Sequence, residues 1–443
     1  MCSIRRLTGR ALVLRNRSFG MLWLGQLLSG GGDWLLLVAV PLYVFRLTGS
    51  ASDAGLAFVA EVTPLLFLGP VAGVFADRWP RRFVMIAADL LSSASVGLMV
   101  LASARSQLWL LLTAVFAENA FCTFFSPACA GLVPAIVGRD GDLAVANSWF
   151  AVSGGVQRLA AAPLGGALYA VGGFRLPAAI DAASYLASAL LVALIGRTPA
   201  GARPGGQRPL SAFVTELRHG LASLARNSTL RLMLTASSLF LFGNAALTAL
   251  FVPYMVAGLH IRPGRIGELY SALGIGYLVS TVTGRAAGKS DRLRAYASTL
   301  LWLVTGAFAG FLAFRSFWAA AAFLALAGLA GGSFLQLQRT TMQRNAPDQL
   351  IGRISAAYSS ITMAMTLIGA LLAAATVSWI GRTETMAFAI TAIGCGAAAA
   401  LLLPAWSSRP GCPRSADPPA GQDPAKAAGG RGRPFLWRAR PSR

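Results

Sequence analysis

The sequence predicts an all-α membrane protein of twelve transmembrane helices, built as two related six-helix halves. Three observations predict it. Of 443 residues, 56% are apolar and only 12% are charged, about half the charged share of a soluble globular domain. The net charge is nevertheless +22, from 38 Lys+Arg against 16 Asp+Glu. A soluble chain would have too few charges to cover several domains, and a nucleic-acid binder would not combine this basic excess with a mean hydropathy of +0.62. The third observation is the count of apolar stretches long enough to cross a bilayer core, which is twelve.

These stretches lie near 19–46, 53–76, 83–104, 107–137, 144–172, 174–196, 231–258, 266–287, 295–315, 317–338, 354–380 and 384–405. Gly172, Gly173, Arg175 and Pro177 divide the fifth from the sixth. All are long, rich in Ala, Leu and Gly, and lack the period-2 alternation of a barrel strand. The first is too long for the apolar region of a signal peptide and contains Asp33. It reads as span 1, preceded by a basic tail with Arg5, Arg6, Arg10, Arg15 and Arg17.

Loop charges set the orientation. With the N-terminus in the cytosol, 30 of the 38 basic residues fall on the cytosolic side. Seven fall outside: Arg46, Arg105, Arg175, Arg262, Arg265, Arg315 and Arg382. Arg158 lies inside a span. This positive-inside asymmetry predicts a multi-pass protein of the inner (plasma) membrane with both termini cytosolic.

Five segments follow: a basic N-tail (1–18), a six-span half (19–196), a linker (197–230), a second half (231–405) and a C-tail (406–443). The linker opens with a Pro/Gly-rich polar run. Leu210, Phe213, Val214, Leu217, Leu221 and Leu224 then recur at helical spacing, opposite Glu216, Arg218, His219 and Arg226. That pattern predicts an amphipathic helix on the cytosolic membrane surface. The halves carry traces of repetition. Gly166-Ala167-Leu168 reappears as Gly369-Ala370-Leu371, and Gly73…Asp77-Arg78 has a counterpart in Gly284…Asp291-Arg292. The C-tail holds seven prolines and eight basic residues. It is predicted to be disordered, with arginines available to anionic lipid.

Polar groups at membrane depth are costly and mark sites of function or of helix-to-helix pairing. The first half holds one in every span: Asp33, Glu61, Asp89, Glu118, Arg158 and Asp181. The second half has none so clearly buried; its polar positions are Asn244, Gln336 and Gln338. Asp33 and Arg158 fall near the middle of their spans, and Glu118 somewhat off it. A structural ion pair or hydrogen bond is the alternative for all three.

Other chemistry is missing from the sequence. Cys122 and Cys129 share a helical face and read as small packing residues. No zinc spacing, phosphate-binding loop or Ser/His/Asp set is present. No metal, no cofactor and no enzyme activity are expected.

The loop after span 2 reads Gly73-Val-Phe-Ala-Asp77-Arg78-Trp-Pro-Arg81-Arg82. It resembles the G-x-x-x-D-R-x-x-R-R/K signature of the major facilitator superfamily, at the position that family uses. Leu22-Trp23-Leu24-Gly25-Gln26, Gly32-Asp33-Trp34, Ala87-Ala88-Asp89-Leu90-Leu91, Phe125-Ser126-Pro127-Ala128 and Asp181-Ala-Ala-Ser184-Tyr185 are similar to the branch holding enterobactin exporters and macrolide efflux pumps. One feature departs. Exporters of the family often carry a G-P-x-x-G-G turn in span 5, and here Arg158-Leu-Ala-Ala-Ala-Pro163-Leu-Gly165-Gly166 keeps only the final glycines.

The resemblance implies a major facilitator fold and a secondary transporter working by alternating access. Its partners would be a small-molecule substrate, protons and the lipid bilayer, with no nucleic acid, and it would be a monomer. Spans 1, 4, 7 and 10 would line the cavity. Asp33, Glu118, Arg158 and Glu61 would then serve proton coupling or substrate contact. Phe121, Phe124, Phe240, Asn244 and Gln336 would supply cavity walls. Gly73, Asp77, Arg78, Arg81, Arg82 and Asp89 would form a latch at the cytosolic face. The implied activity is proton-coupled efflux of a small amphiphile: a drug, antibiotic or siderophore. A proton-coupled importer is the nearest rival, and a non-transporting scaffold or receptor the more distant one.

Overall fold

The computed structural model describes Leu12 and residues 16–138, 141–196, 210–287, 293–346 and 350–402. The side chains of residues 77, 141, 210–217 and 282–287 lie outside that description. The expectations for the N-tail, the polar run of the linker and the C-tail also fall outside it.

Thirteen α-helices are described: α1 (Arg17–Thr48), α2 (Ala51–Arg78), α3 (Arg81–Leu101), α4 (Leu108–Val137), α5 (Gly141–Gly172), α6 (Arg175–Leu194), α7 (Leu210–Arg226), α8 (Ser228–Ala257), α9 (Pro263–Ala287), α10 (Leu293–Ala313), α11 (Phe317–Asn345), α12 (Ile351–Ile380) and α13 (Arg382–Leu402). Ten of them are long and apolar enough to cross a membrane. Of the rest, α5 and α9 are 32 and 25 residues long, enough to span at 1.5 Å per residue. With α7 as the linker helix, twelve spanning helices remain.

Local chemistry fixes the ends. Asn16 accepts from Phe19 N at 3.1 Å and Ser50 from Asp53 N at 3.2 Å, capping α1 and α2. Asn227 caps α8 through Thr229 N and Leu230 N. Gly49 and Gly381, at φ 70° and 92°, end α1 and α12 in the left-handed region that glycine adopts freely.

Each half packs on itself. In the first, α1 packs on α5 and α6, and α3 and α2 both pack on α4. In the second, α8 packs on α12 and α13, and α11 on α9 and α10. The halves meet along two seams, α2 against α12 and α5 against α9. Exchanging the halves exchanges these seams, as a pseudo-two-fold repeat requires. The linker helix α7 packs on α12, where Gly220 meets the Arg353 carbonyl and Leu224 joins Leu230, Ile354, Ala357 and Tyr358.

Helix direction alternates, so one face carries Arg78, Arg81, Arg82, Arg226, Arg344 and Arg353; we call it the basic face. At the opposite face the seams close tightly. Ser52 donates to the Ala374 carbonyl at 2.5 Å, and a Cβ on Gly55 would stand 3.0 Å from the Ala374 Cβ. On the other seam, a Cβ on Gly166 would stand 3.1 Å from Gly267 N and Pro263 O, and nearer mid-span Ser271 donates to Leu159 O at 3.1 Å. Towards the basic face, Gly69, Gly73, Gly154 and Gly352 have open space where a Cβ would go. Exposed Trp109, Trp318 and Trp379 ring the opposite face, where aromatic side chains anchor a bilayer interface.

Candidate functional site: a carboxylate pair in the N-terminal half

Asp33 sits at the middle of α1, within the run Gly30-Gly31-Gly32-Asp33. The glycines let neighbouring helices approach closely. Asp181 of α6 lies directly against Gly32, and Gln157 of α5 reaches over Gly30 to donate to the Gln26 and Leu27 carbonyls at 2.9 and 3.0 Å. The backbone of α1 is therefore clamped by α5 and α6 in the two turns before Asp33.

The Tyr185 hydroxyl of α6 is aimed at two acids. It lies 2.6 Å from Asp33 Oδ1 and 2.9 Å from Glu118 Oε1 of α4. Cys122 Sγ stands 3.0 Å from the same oxygen. Asn119 donates to Glu118 Oε2 at 2.8 Å. Glu118 and Tyr185 are buried, at 7% and 2% exposure, while Asp33 is exposed and lines a cavity. A phenol has one proton to donate, so Tyr185 satisfies one of these carboxylates at a time.

Asp33, Glu118 and Cys122 bring ligand atoms within 4.8 Å of one another, the spacing of a cation site. The Tyr185 oxygen occupies the middle of that cluster, so the convergence is filled by the hydroxyl.

The cavity, of about 500 Å³, lies between α1, α3, α4, α5 and α6. It runs from Asp33 and Tyr185 at mid-depth to Pro134 and Leu143 near the basic face. Its walls belong wholly to the first half.

A family model of the Major Facilitator Superfamily matches residues 22–252 and 233–440. The chain belongs to the Major Facilitator Superfamily. It is 23% identical to macrolide efflux protein A of Streptococcus pyogenes over 381 residues, covering 85% of this chain and 93% of that protein. It is 26% identical to the enterobactin exporter of Salmonella choleraesuis over 373 residues, covering 82% and 86%. Among solved structures, a bacterial homologue of the iron transporter ferroportin in its inward-facing state superposes with a TM-score of 0.66 at 18% identity, covering 87% of this chain and 98% of that one. That likeness is one of fold. The protein is accordingly a multi-pass membrane protein of a transporter family.

The other expected site residues are distributed unevenly around this geometry. Glu61 is half-buried on α2, within electrostatic range of Asp33 and of Tyr270 in the second half. Arg158 makes no ion pair with a carboxylate among the described residues. Its guanidinium lies between the Trp34 and Tyr277 rings, with Cζ 5.1 and 4.9 Å from their centroids, and so bridges the two halves. Phe240 is 1% exposed and stacks edge-on with Phe334 at 5.4 Å, which puts it in the core rather than on a cavity wall. Phe124 packs on Phe75 at 5.6 Å, and Phe121 and Asn244 are half-buried. Gln336 donates to Ser280 Oγ at 3.3 Å, a bond inside the second half.

The signature-loop residues separate too. Arg81 donates to the Gly131 carbonyl at 2.6 Å, and Arg82 donates to the Ala193 carbonyl in the last turn of α6. Both tie α3 to its own half; Ala193 is among the last four residues of α6, whose carbonyls lack helical partners, while Gly131 lies within α4. Arg78 is exposed, Gly73 has open space beside it, and the Asp77 side chain lies outside the described residues. Asp89 is not at the membrane face. Eight residues beyond Arg81, it is roughly 12 Å deeper, and it lines the cavity.

Tyr185 is the site residue without an expected role. Its signal was present in Asp181-Ala-Ala-Ser184-Tyr185, but span 6 is peripheral in sequence order. Only the packing of α6 on α1 brings the phenol to the acids.

Proposed function

We propose that this protein is a proton-coupled exporter of small amphiphilic molecules, working by alternating access from a plasma membrane with both termini cytosolic. The observation that carries the reading is the single Tyr185 hydroxyl held between Asp33 and Glu118. If both acids were ionised, one short O···O contact would have no proton in it. Two satisfied contacts need one more proton, carried by a carboxyl, so the cluster has the composition of a one-proton site. Asp33 faces the cavity and Glu118 is buried behind it, so substrate entering the cavity competes with that proton at Asp33. Such competition produces antiport.

The seams support the alternating-access part. The opposite face is closed by backbone-level contacts between the halves, while Gly69, Gly73, Gly154 and Gly352 on the seam helices have open space towards the basic face, which the arginine distribution assigns to the cytosol. This is the geometry of a carrier loading from the cytosol. Reorientation would open the Gly166–Gly267 and Ser52–Ala374 contacts and close the basic face, where Asp77 and Arg78 would act as the latch and Arg81 and Arg82 would brace α3 against the Gly131 and Ala193 carbonyls. The halves 19–196 and 231–405 would move as the two rigid bodies, with α7 carried on the second. The relatives are named for macrolide efflux and enterobactin export, which supports the outward direction and a small-molecule cargo.

The test is transport in everted vesicles with a panel of amphiphilic antibiotics and siderophores. Wild type should accumulate a substrate without ATP and lose it when an uncoupler collapses the pH gradient. Asp33→Asn and Glu118→Gln should be inserted normally yet ignore the gradient. Gradient-driven accumulation by both variants at the wild-type rate overturns the coupling.

A further inference from the structure

We propose that Arg158, Trp34 and Tyr277 form a donor-rich subsite between the two halves, and that it receives the anionic oxygen group, a carboxylate or its like, of an amphiphilic cargo. The Arg158 Cζ of α5 lies 5.1 Å from the centroid of the Trp34 ring of α1 and 4.9 Å from that of the Tyr277 ring of α9. These rings attract the charge of the guanidinium but offer no lone pairs to its N–H groups. Its Nε is buried with no hydrogen-bond partner. Among the described residues no carboxylate pairs with Arg158, and neither the Trp34 indole N–H nor the Tyr277 hydroxyl has an acceptor. Three neighbouring side chains thus hold donors without acceptors. A cation at membrane depth without an anion is costly, and the group that best offsets that cost carries negative charge on two oxygens.

The surroundings allow such a group to arrive. All three side chains are half-buried, so with Nε sealed it is the terminal Nη groups that meet a ligand. One turn towards the basic face, Gly31 on α1 and Gly154 on α5 have open space at their Cβ positions. Towards the opposite face the same seam is shut, where a Cβ on Gly267 would meet Pro163 and where Ser271 donates to Leu159 O. A ligand therefore reaches Arg158 from the basic side. The acids of this interior are engaged elsewhere: Asp33 Oδ1 meets Tyr185, and Glu61 lies near Tyr270, two turns along α9 from Tyr277. An inside-negative membrane potential drives an anion outward, which suits an exported cargo.

This inference deepens the export reading and rests on it, since it names the charge of the cargo. Asp33 lines the first-half cavity, so the contact at Arg158 is a separate one. The test is equilibrium binding, without any gradient, of fusidate, an amphiphile with one carboxylate, and of its uncharged methyl ester to the purified full-length protein in detergent. Wild type should bind fusidate about tenfold or more tighter than the ester, as expected for hydrogen bonds to a charged group. Arg158→Gln should remove the preference, and Arg158→Lys should keep part of it, because an ammonium lacks the forked donors of a guanidinium. Tyr277→Phe keeps the ring beside Arg158 and removes one donor. It should weaken fusidate by about threefold and leave the ester unchanged, which covers the case of an unstable Arg158 variant. Equal binding of the two probes by wild type, binding of neither, an unchanged preference in Arg158→Gln, or unchanged fusidate affinity in Tyr277→Phe overturns the subsite. An Arg158-dependent preference alongside gradient-independent transport would instead overturn the coupling and leave the subsite standing.

Discussion

The Tyr185 hydroxyl lies 2.6 Å from Asp33 Oδ1, joining α6 to α1 at mid-depth, and the same oxygen lies 2.9 Å from Glu118. Tyr185→Phe keeps both acids and removes the group between them. Hydrogen bonds to charged groups are worth about 1.5–3 kcal/mol. The expected outcome is a fall in gradient-driven export of about tenfold or more, with substrate exchange at equal pH on both sides largely kept. Coupled transport at the wild-type rate would show that the two acids do not share a proton through the phenol.

Gly267 and Gly166 hold the opposite face shut. A Cβ on Gly267 would collide with Pro163 Cα and the Ala162 carbonyl, both backbone atoms. Gly267→Ala should therefore destabilise the closed seam by about 1–3 kcal/mol, the cost of overpacking. Gly69→Ala meets open space and should gain about 0.5–1 kcal/mol from helix propensity. Thermal unfolding of the two variants in detergent checks the contrast, and similar melting temperatures would count against the seam.

Arg158 is held by rings from both halves. Arg158→Ala should cost about 2 kcal/mol, the worth of a desolvated cation–π contact. Arg158→Lys should recover only part, because a lysine ammonium is not planar and does not stack. With no carboxylate among the described residues paired to Arg158, its cost should add to that of Asp33→Asn within about 0.5 kcal/mol. A double-mutant cycle on unfolding free energy would expose a hidden ion pair as a larger coupling.

The arginines of the signature loop should divide by role. Arg82→Ala removes the donor to the Ala193 carbonyl and should cost about 1.5–3 kcal/mol. Arg78→Ala, at an exposed position, should change stability by less than about 0.5 kcal/mol yet reduce transport. Stability and transport falling together for Arg78 would remove it from the latch.

Much of this architecture was legible in the chain. Twelve apolar stretches imply twelve helices because a bilayer core offers no water to unpaired backbone groups. Gly73-Val-Phe-Ala-Asp77-Arg78 placed the family. The midspan positions of Asp33 and Glu118 marked them as groups needing a reason. Other assignments went astray for physical reasons. Asp89 reads as membrane-facial by its distance along the sequence, yet a helix started at Arg81 carries it two turns inward. Phe240 suits a cavity wall by composition, yet it stacks on Phe334 in the core. Arg158 invites an acid partner and finds two aromatic rings.

The sequence by itself determined the spans, their two-fold repetition and the basic face. Each depends on hydropathy and charge along a single helix, which are local properties. The tertiary structure alone decided which polar groups meet. Tyr185, Asp33 and Glu118 are separated by 67 to 152 positions, and no periodicity within one helix records which face a neighbour will cover. Glycines such as Gly32 and Gly165, the latter 2.5 Å from the Leu35 carbonyl at its Cβ position, set those faces by how closely two backbones approach.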